Sequence, residues 1–226
     1  MSDPSGITAP AEDYLKAIYD IERGGEAAAT NDIAARLGIA AASVSGMIRR
    51  LADQGLISHE RYKGTRLTAA GRKAALRTIR RHRVIEAYLA RALGYAWDRV
   101  HEEAERLEHA ASDELVDRMA RAIGEPHMDP HGAPIPTREG DVDETPRRTL
   151  LDVNAGQRCR VVSVADEDAD LLRYVAKLKL RPGAVVEILE RAPFDGPISL
   201  RVIPEGDPSQ IGATLAALIQ VAPVSD

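Results

Sequence analysis

The spacing of apolar residues changes twice along the chain and divides it into three segments. From about residue 11 to 123, apolar side chains recur at helical intervals, which predicts a helical region. Residues 125–150 are rich in proline and charged side chains, which predicts an extended loop and a domain boundary. From about residue 156 the β-branched runs RCRVVSV, AVVEIL and ISLRVI predict strands. The pattern therefore predicts a multi-domain protein that is mainly α with a small β domain.

Residues 30–55 read TNDIAARLGIAAASVSGMIRRLADQG and predict two short helices joined by a tight turn. Thr30 is expected to cap the first helix, and Gly38 supplies the positive φ that the turn requires. The second helix is expected to begin near Ala41 and to end before Gly55. This is a helix-turn-helix arrangement, in which the second helix enters the major groove of DNA.

The next stretch, LISHERYKGTRLT, predicts two short strands around Lys63 and Gly64 that form a wing. Small side chains at the start of the second helix would face the bases, and basic side chains would contact phosphates. Few bidentate base contacts are expected, so specificity would depend on thymine methyls, hydroxyls and DNA shape. The DNA-binding candidates are Ala42, Ser43, Ser45, Gly46, Arg49, Arg50, Arg61, Lys63 and Arg66.

The net charge of −5 conceals a strong asymmetry along the chain. Residues 36–83 carry twelve Lys and Arg against two Asp and Glu, whereas the segments on both sides are acidic. A basic block in an acidic chain is typical of a polyanion-binding surface, although a solvated cationic face would give the same count. Together with the helix-turn-helix and the wing, it predicts double-stranded DNA as the partner.

Composition excludes several other classes of protein. A hydrophobic fraction of 44% and a charged fraction of 29% are those of a globular chain rather than a disordered or collagenous one. The first residues show no signal peptide, and no apolar run approaches the ~20 residues of a membrane span. The single cysteine, Cys159, excludes a disulfide framework and is expected to pack in a core. We therefore expect a cytoplasmic protein with no membrane partner.

Two predicted helices carry imidazoles and carboxylates at helical spacing, a donor set suited to a divalent transition ion. Glutamates on a helix are usually solvated, so only the joint pattern argues for metal. An enzyme's metal site could show the same spacing, with a glutamate beside a metal-bound water. No covalent nucleophile motif accompanies it, so we expect no enzyme. The residues are His82 and Glu86 on one helix, and His101, Glu105, Glu108 and His109 on the other.

The order of these motifs resembles the diphtheria-toxin-repressor family of metal-dependent transcriptional regulators. The stretches AEDYLKAIYDIE, RRHRVIEAYL, VHEEAERLEHAASDEL and DPHGAPIP carry the resemblance, which covers essentially the whole chain. It implies a homodimer with a winged helix-turn-helix domain over residues 1–76 and a helical dimerisation and metal-binding domain over 77–145. Residues 146–226 would then form a C-terminal SH3-like barrel of the FeoA type.

The resemblance also implies a primary metal site formed by Asp13, Glu105, Glu108 and His109. The iron-responding branch has methionine and cysteine at the positions of Asp13 and Glu105, whereas this chain resembles the manganese-transport-regulator branch. Oxygen ligands suit Mn²⁺, and Fe²⁺, Co²⁺ or Zn²⁺ are expected to bind in vitro. Lys16 stands where the compact manganese regulators have a further carboxylate, so their two-ion form of the site is not implied.

An ancillary site is implied at His82, Glu86, His101 and Asp168. Within the stretch DEDADLLRYV, Asp166, Glu167 and Asp170 are alternatives to Asp168. The loop histidines His127 and His131 are expected to serve turns or hydrogen bonds.

The functional hypothesis is a Mn²⁺-activated repressor of metal homeostasis genes. The alternatives are an Fe²⁺-dependent repressor, a DNA-binding protein indifferent to metal, and a metal-dependent hydrolase.

Overall fold

The computed structural model divides into two compact units, called unit 1 and unit 2 below. The structure describes residues 6–60, 63–166, 168–194, 196–204 and 206–224. Unit 1 comprises residues 1–82, 107–116 and 136–141. Unit 2 comprises residues 83–106, 117–135 and 142–226.

Unit 1 contains the helix-turn-helix and its wing, as the sequence predicted. Strands β1 and β2 pair antiparallel, with Glu60 opposite Gly64. The N-terminal part of a long helix, α4, follows the wing. The elements are α1 (Ala9–Glu22), α2 (Thr30–Leu37), α3 (Ala41–Asp53), β1 (Ile57–Glu60), β2 (Gly64–Leu67) and α4 (Ala69–Leu93).

The core of unit 1 is formed by one apolar face from each of the first three helices. Leu15, Ile18, Ile33, Val44 and Leu51 are completely buried. Leu15 and Ile18 are three residues apart and Val44 and Leu51 are seven apart, spacings that place each pair on one side of its helix and leave the opposite side in solvent. Burial of these faces stabilises the unit and leaves the outer face of α3 available.

The turn between α2 and α3 confirms one detail of the prediction and corrects another. Gly38 adopts a left-handed conformation with φ of 64° and ends α2. Thr30, however, does not cap this helix, because α2 already begins at Thr30 and the capping position is Ala29. Alanine has no side-chain acceptor, so no side chain caps the helix.

The wing is attached to the chain between α1 and α2 by a short bridge. Ala28 and Thr65 exchange two backbone hydrogen bonds, each 2.9 Å from nitrogen to oxygen. Gly64 adopts φ of 89°, and a Cβ atom there would lie 3.0 Å from Cβ of Ala27. Glycine at this position therefore allows both the wing turn and its close approach.

Unit 2 combines the C-terminal part of α4, most of α5, the C-terminal part of α6 and a β domain. The β domain is a six-stranded antiparallel sheet in the order β3–β8–β4–β5–β6–β7. The elements that follow α4 are α5 (Val100–Leu107), α6 (Asp113–Ala122), β3 (Arg148–Thr149), β4 (Arg158–Val164), α7 (Ala169–Lys177), β5 (Val185–Arg191), β6 (Ile198–Ile203), β7 (Ser209–Ile211), α8 (Ala213–Ala217) and β8 (Ile219–Pro223).

The sheet and α7 enclose a core of aliphatic side chains, among them Leu172, Ile188, Leu200 and Ile219. Cys159 on β4 belongs to this core, as expected, and burial raises the pKa of its thiol to about 11. The small β domain predicted from the sequence is confirmed.

The proline-rich loop after α6 packs on β4 within unit 2. The carbonyl of His131 accepts a 2.9 Å hydrogen bond from the N–H of Val164. Gly132 adopts φ of 88°, and a Cβ atom there would lie 1.9 Å from the carbonyl oxygen of Val162. Only glycine permits this approach, so the loop is fixed against the strand at that residue.

Within the described ranges, no helix combines the length and the apolar character needed to cross a membrane.

Candidate metal centre and DNA-binding face

Three of the predicted primary ligands meet within unit 1. Asp13 lies on α1, whereas Glu108 and His109 directly follow α5, and one donor atom from each lies within 4.8 Å of the others. The amphipathic packing of α1 explains this position, because its apolar face is buried against the helix-turn-helix while Asp13 stays half-buried. We call these three residues the Asp13 cluster.

His109 makes two short hydrogen bonds to carboxylates. Its Nε2 lies 2.8 Å from Oδ1 of Asp13, and its Nδ1 lies 2.7 Å from Oε2 of Glu12. These bonds, Asp13 first and Glu12 second, raise the pKa of His109 to about 10 despite partial burial, which opposes the shift. An ion bound at Nε2 would replace the proton and leave Nδ1–H donating to Glu12, the usual arrangement around a metal-bound histidine.

Glu12 was not among the predicted site residues. Its carboxylate is buried and also accepts a 2.7 Å hydrogen bond from Nη2 of Arg81. Adjacent helical residues point about 100° apart, so no spacing rule links Glu12 to the face that carries Asp13. The only available signal was its spacing of three and seven residues from Leu15 and Tyr19, which places an acidic residue on the apolar face of α1.

Glu108 is completely buried, and its carboxylate contacts one lysine and one histidine in unit 1. Nζ of Lys16 lies 3.3 Å from both of its carboxylate oxygens. Nδ1 of His82, a predicted ancillary ligand, lies 2.7 Å from Oε2 of Glu108. The lysine therefore already places a positive charge beside the Asp13 cluster. Glu105, the fourth predicted primary ligand, belongs to unit 2, where its Oε1 lies 3.9 Å from Nε2 of His101.

A second group of donors lies in unit 2. Oε1 of Glu86 lies 3.2 Å from Nδ1 of His101, and Oδ2 of Asp166 lies 3.9 Å from the same nitrogen. Glu86 is completely buried on α4, and Asp166 follows the end of β4. We call Glu86, His101 and Asp166 the Glu86 cluster.

Asp168, the residue first chosen to complete the ancillary site, has another role in the structure. Its Oδ1 accepts the backbone N–H groups of Asp170 and Leu171 at 2.8 and 3.2 Å and thereby caps α7. Asp170 pairs with Arg173, and Glu167 lies outside the described residues. Of the alternatives that are described, Asp166 is the one beside His101.

The predicted DNA-contacting residues on α3, for bases and for phosphates, all lie on its solvent-exposed side. In the wing, Lys63 pairs with Glu60 at 2.6 Å, and Nη1 of Arg66 lies 3.5 Å from Oε1 of Glu22. Arg61 lies outside the described residues. The exposed α3 residues are Ala42, Ser43, Ser45, Gly46, Arg49 and Arg50.

Several arginines of the basic block serve internal contacts rather than an open surface. Arg81 binds Glu12, and Nη2 of Arg77 lies 2.7 Å from Oδ2 of Asp113. Arg80 and Arg83 donate to the carbonyls of Pro136 and Pro134. The cationic surface that remains for a polyanion is therefore smaller than the residue count suggested.

A winged helix-turn-helix beside a set of carboxylate and imidazole donors defines the class of metal-dependent DNA-binding proteins. Family models match three consecutive parts of the chain. Residues 7–65 match the N-terminal DNA-binding domain of iron-dependent repressors, and residues 68–137 match their metal-binding and dimerisation domain. Residues 148–223 match the FeoA domain.

The iron-dependent repressor IdeR of Mycobacterium leprae is 31% identical over 180 residues, which cover 80% of this chain and 70% of that protein. The structure of a manganese-dependent transcriptional repressor in complex with manganese is 39% identical and has a TM-score of 0.87. It covers 95% of this chain and 100% of its own. The structure of ScaR with bound Zn²⁺ is 31% identical, with a TM-score of 0.83 and coverage of 95% and 99%.

The chain therefore belongs to the diphtheria-toxin-repressor family, whose members are metal-dependent DNA-binding repressors. The resemblance inferred from the sequence is confirmed, together with DNA-binding, metal-binding and dimerisation domains. The hydrolase alternative is wrong, because this is a family of transcriptional repressors and not of enzymes. Iron, manganese and zinc all occur in the names of these relatives. Membership of the family therefore indicates that the chain binds a divalent metal, but it does not indicate which one.

Proposed function

We propose that this chain is a homodimeric repressor of metal homeostasis genes that is activated by Mn²⁺ and acts in the cytoplasm, where its DNA would be. The observation that carries the proposal is the Asp13 cluster, in which Oδ1 of Asp13 lies 2.8 Å from Nε2 of His109. Asp13 belongs to the matched DNA-binding domain, and Glu108 and His109 belong to the matched metal-binding domain. An ion held by all three would join the two domains.

The donor set favours manganese over softer ions. The cluster offers two carboxylates and one imidazole, and the only cysteine of the chain is buried in the core of the β domain. Hard oxygen donors suit Mn²⁺, whereas thiolate and thioether ligands select softer ions. We propose Glu105 as the fourth ligand from the family resemblance. An Fe²⁺-dependent repressor is the second candidate, which the iron-dependent relatives favour.

The mechanism is an exchange of cations at the Asp13 cluster. Without metal, the His109 proton and the Lys16 ammonium compensate the carboxylates. Asp13, Glu108 and His109 would hold Mn²⁺ once Nε2 of His109 has lost that proton, and α1 would then be tied to the residues after α5. Because α1 packs on the helix-turn-helix, the ion would restrict the DNA-binding elements to the competent arrangement. Metal and DNA would then strengthen each other's binding by the same factor.

We further propose an ancillary ion at the Glu86 cluster, with His82 as the additional ligand that the family resemblance implies. Asp166 takes the place first given to Asp168, because the Asp168 side chain is committed to the cap of α7.

DNA affinity with and without metal tests this function. A duplex would be selected from a random-sequence library in the presence of Mn²⁺, and its affinity measured at one salt concentration, because phosphate contacts depend on salt. Mn²⁺ is expected to tighten binding by about tenfold or more, which is about 1.4 kcal/mol of coupling. Asp13→Ala should abolish this gain, whereas Asp168→Ala should retain it.

Two results would contradict the proposal in different ways. Tight binding that ignores both chelator and the Asp13→Ala change would indicate a DNA-binding protein indifferent to metal. A larger response to anaerobic Fe²⁺ than to Mn²⁺ at equal free concentration would assign the chain to the iron-responding branch.

A further inference from the structure

We propose that Tyr14 is a positioning residue that couples ion binding at the Asp13 cluster to the first turn of α3. This inference rests on the proposed function, because it requires an activating ion. Tyr14 is neither a proposed metal ligand nor a predicted DNA contact. The helical pattern of the sequence accounts for its burial but not for its hydroxyl group.

Tyr14 directly follows Asp13 on α1, and the two side chains point in different directions. Adjacent helical residues are about 100° apart, so Asp13 can face the metal ligands while Tyr14 faces the helix-turn-helix. Asp13 is half-buried, and Tyr14 is buried in the core of unit 1. An ion that fixes the Asp13 side chain would therefore also fix the turn of α1 from which Tyr14 extends.

The hydroxyl of Tyr14 reaches the backbone of α3. Its Oη lies 3.5 Å from the carbonyl oxygen of Ser43 and donates its hydrogen to it. Ser43 lies in the first turn of α3, and its exposed side chain is among the predicted DNA contacts. A carbonyl oxygen has two lone pairs, so this contact leaves one for the hydrogen bond inside the helix. Tyr14 therefore contacts the end of α3 that would enter the major groove.

The C-terminal end of α1 contacts the other DNA-binding elements. Nη2 of Arg36 on α2 lies 2.7 Å from Oδ2 of Asp20. Oε2 of Glu22 accepts the backbone N–H of Leu67, in the wing, at 3.3 Å. These contacts lie well along α1 from the Asp13 cluster, whereas Tyr14 is one residue from a proposed ligand. Tyr14 thus gives the shortest connection between the cluster and α3.

The hydrogen bond from Tyr14 is long enough to respond to a small displacement. Hydroxyl hydrogen bonds are typically about 2.7 to 2.8 Å, so an approach of less than about 1 Å would bring this contact to full strength. The capping position of α3 is Ala40, which has no side-chain acceptor, so contacts from outside the helix help to fix its first turn. A close-packed interior transmits such displacements, and the buried ring of Tyr14 lies in one.

A change in this one hydrogen bond is large enough to contribute to the proposed coupling. A ligand shifts an equilibrium only through interactions that differ between the two states. A hydrogen bond that is made in one arrangement and not in the other changes their ratio by about two- to tenfold. The coupling proposed between Mn²⁺ and DNA is about tenfold. Loss of the hydroxyl should therefore remove much of the coupling without removing a metal ligand.

Tyr14→Phe tests the inference, because it keeps the buried ring and removes the hydroxyl. Tyr174→Phe, the same change at an exposed position on α7, is the control. DNA affinity would be measured with Mn²⁺ and with chelator at one salt concentration, and Mn²⁺ affinity of the free chain by calorimetry. In Tyr14→Phe the Mn²⁺-dependent gain in DNA affinity should fall from about tenfold to about threefold or less. Its Mn²⁺ affinity should stay at the wild-type value, and Tyr174→Phe should match the wild type in both measurements.

Amide NMR with Zn²⁺, a diamagnetic ion, gives a readout that a purely structural role of Tyr14 would not affect. The N–H of Val44 belongs to the same peptide group as the carbonyl of Ser43, so its signal reports on the hydrogen bond from Tyr14. In the wild type, Zn²⁺ should shift the Val44 signal. In Tyr14→Phe this shift should be lost, whereas the shift of the His109 amide should remain. Circular dichroism without metal checks that the variant folds.

Three outcomes would overturn the inference. Tyr14→Phe could keep the full Mn²⁺-dependent gain, or it could lose DNA affinity equally with Mn²⁺ and with chelator, which would limit Tyr14 to packing. The third outcome is a wild-type Val44 signal that does not respond to Zn²⁺, and this result decides even if Tyr14→Phe does not fold. Failure of the proposed function would look different, since the wild type itself would then bind DNA equally with and without metal.

Discussion

At the scale of single residues, the proton on His109 would be the direct competitor of the proposed activating ion. Its folded-state pKa of about 10 means that the imidazole is charged throughout the neutral range. An unperturbed histidine titrates near 6.5. The protonated form therefore stabilises the metal-free fold, fully below about pH 6.5, and this contribution is lost as the pH rises through about 10.

We expect Mn²⁺ affinity to rise with pH because binding releases this proton. Each unit from about pH 6.5 to 8.5 should raise the affinity about tenfold, since one proton is released per ion. Mn²⁺ titrations followed by electron paramagnetic resonance at three pH values would measure the slope. Glu12→Gln, which removes the second cause of the raised pKa of His109 and no proposed ligand, should make the slope shallower. A wild-type affinity that does not change over this range would show that His109 is already neutral in the free protein.

Lys16 should act on metal affinity and on stability in opposite directions. Lys16→Met removes the ammonium 3.3 Å from both oxygens of Glu108. The buried carboxylate keeps its contact with His82 but loses a charge partner, so we expect the metal-free chain to lose about 1 to 2 kcal/mol of stability. Mn²⁺ affinity should rise several-fold, because a like charge beside the ion is gone.

Urea unfolding without metal and Mn²⁺ calorimetry would test both signs for Lys16→Met. Lys73→Met, at an exposed position on α4, is the matched control and should leave both quantities unchanged. Weaker Mn²⁺ binding in Lys16→Met would mean that the lysine orients Glu108 for the ion instead of competing with it.

The sequence could indicate the residue types of the metal sites but not all of their members. The helical spacing selected Glu108 and His109, and only the family resemblance connected them with Asp13, 96 residues before His109. Glu12 was missed because its role depends on contacts with Arg81 and His109, which are distant in sequence. Asp166 and Asp168 are the same residue type two positions apart, and only the structure distinguishes them, because Asp168 caps α7 and Asp166 lies beside His101.

At the scale of elements, the loop between α6 and β3 owes its position to one glycine. Gly132→Ala would place a Cβ atom 1.9 Å from the carbonyl of Val162, in a backbone conformation that alanine rarely adopts. We expect a loss of about 2 kcal/mol or more in stability, because the loop must leave β4. Because Asp166 of the Glu86 cluster follows the same strand, the proposed ancillary ion should also bind more weakly.

Gly140→Ala provides the matched control for the Gly132 substitution. Gly140 also has a positive φ, 97°, but nothing lies within 4 Å of its added Cβ. Gly140→Ala is therefore expected to lower the free energy of unfolding by about 1 kcal/mol, the cost of placing alanine at a positive φ. Urea unfolding and Mn²⁺ titration of the two variants should separate them, and equal losses would show that contact with β4 does not fix the loop.

The elements themselves could largely be predicted, because helix and strand patterns are local. The helix-turn-helix, the wing and the runs that became β4, β5 and β6 were all read from spacing and turn residues. The strand order places β8 between β3 and β4. It could not be predicted from the sequence, because it depends on pairings between distant segments. The count of basic residues overestimated the cationic surface available to DNA, because arginines such as Arg77 and Arg81 bind carboxylates inside unit 1.

At the scale of the whole molecule, the proposed function requires metal and DNA to act on the same equilibrium. The Asp13 cluster joins residues from two matched domains, so an ion there would bias the arrangement of the DNA-binding elements. Ligand binding to the folded chain also stabilises it, by about 2.7 kcal/mol when the free ion is at 100 times its dissociation constant. Chelation should therefore lower both the unfolding temperature and the affinity for DNA.

Reciprocity gives the strictest test of this coupling. If Mn²⁺ tightens DNA binding about tenfold, saturating DNA must tighten Mn²⁺ binding by the same factor. Calorimetric Mn²⁺ titrations of the free protein and of its DNA complex, at one salt concentration and pH, would measure the second side of the cycle. Asp168→Ala, which leaves the Asp13 cluster intact, should preserve the factor for the primary ion, whereas Asp13→Ala should reduce it to one. Equal Mn²⁺ affinities with and without DNA in the wild type would show that the ion binds without selecting the DNA-binding arrangement, because a ligand shifts an equilibrium only by its differential affinity for the two states.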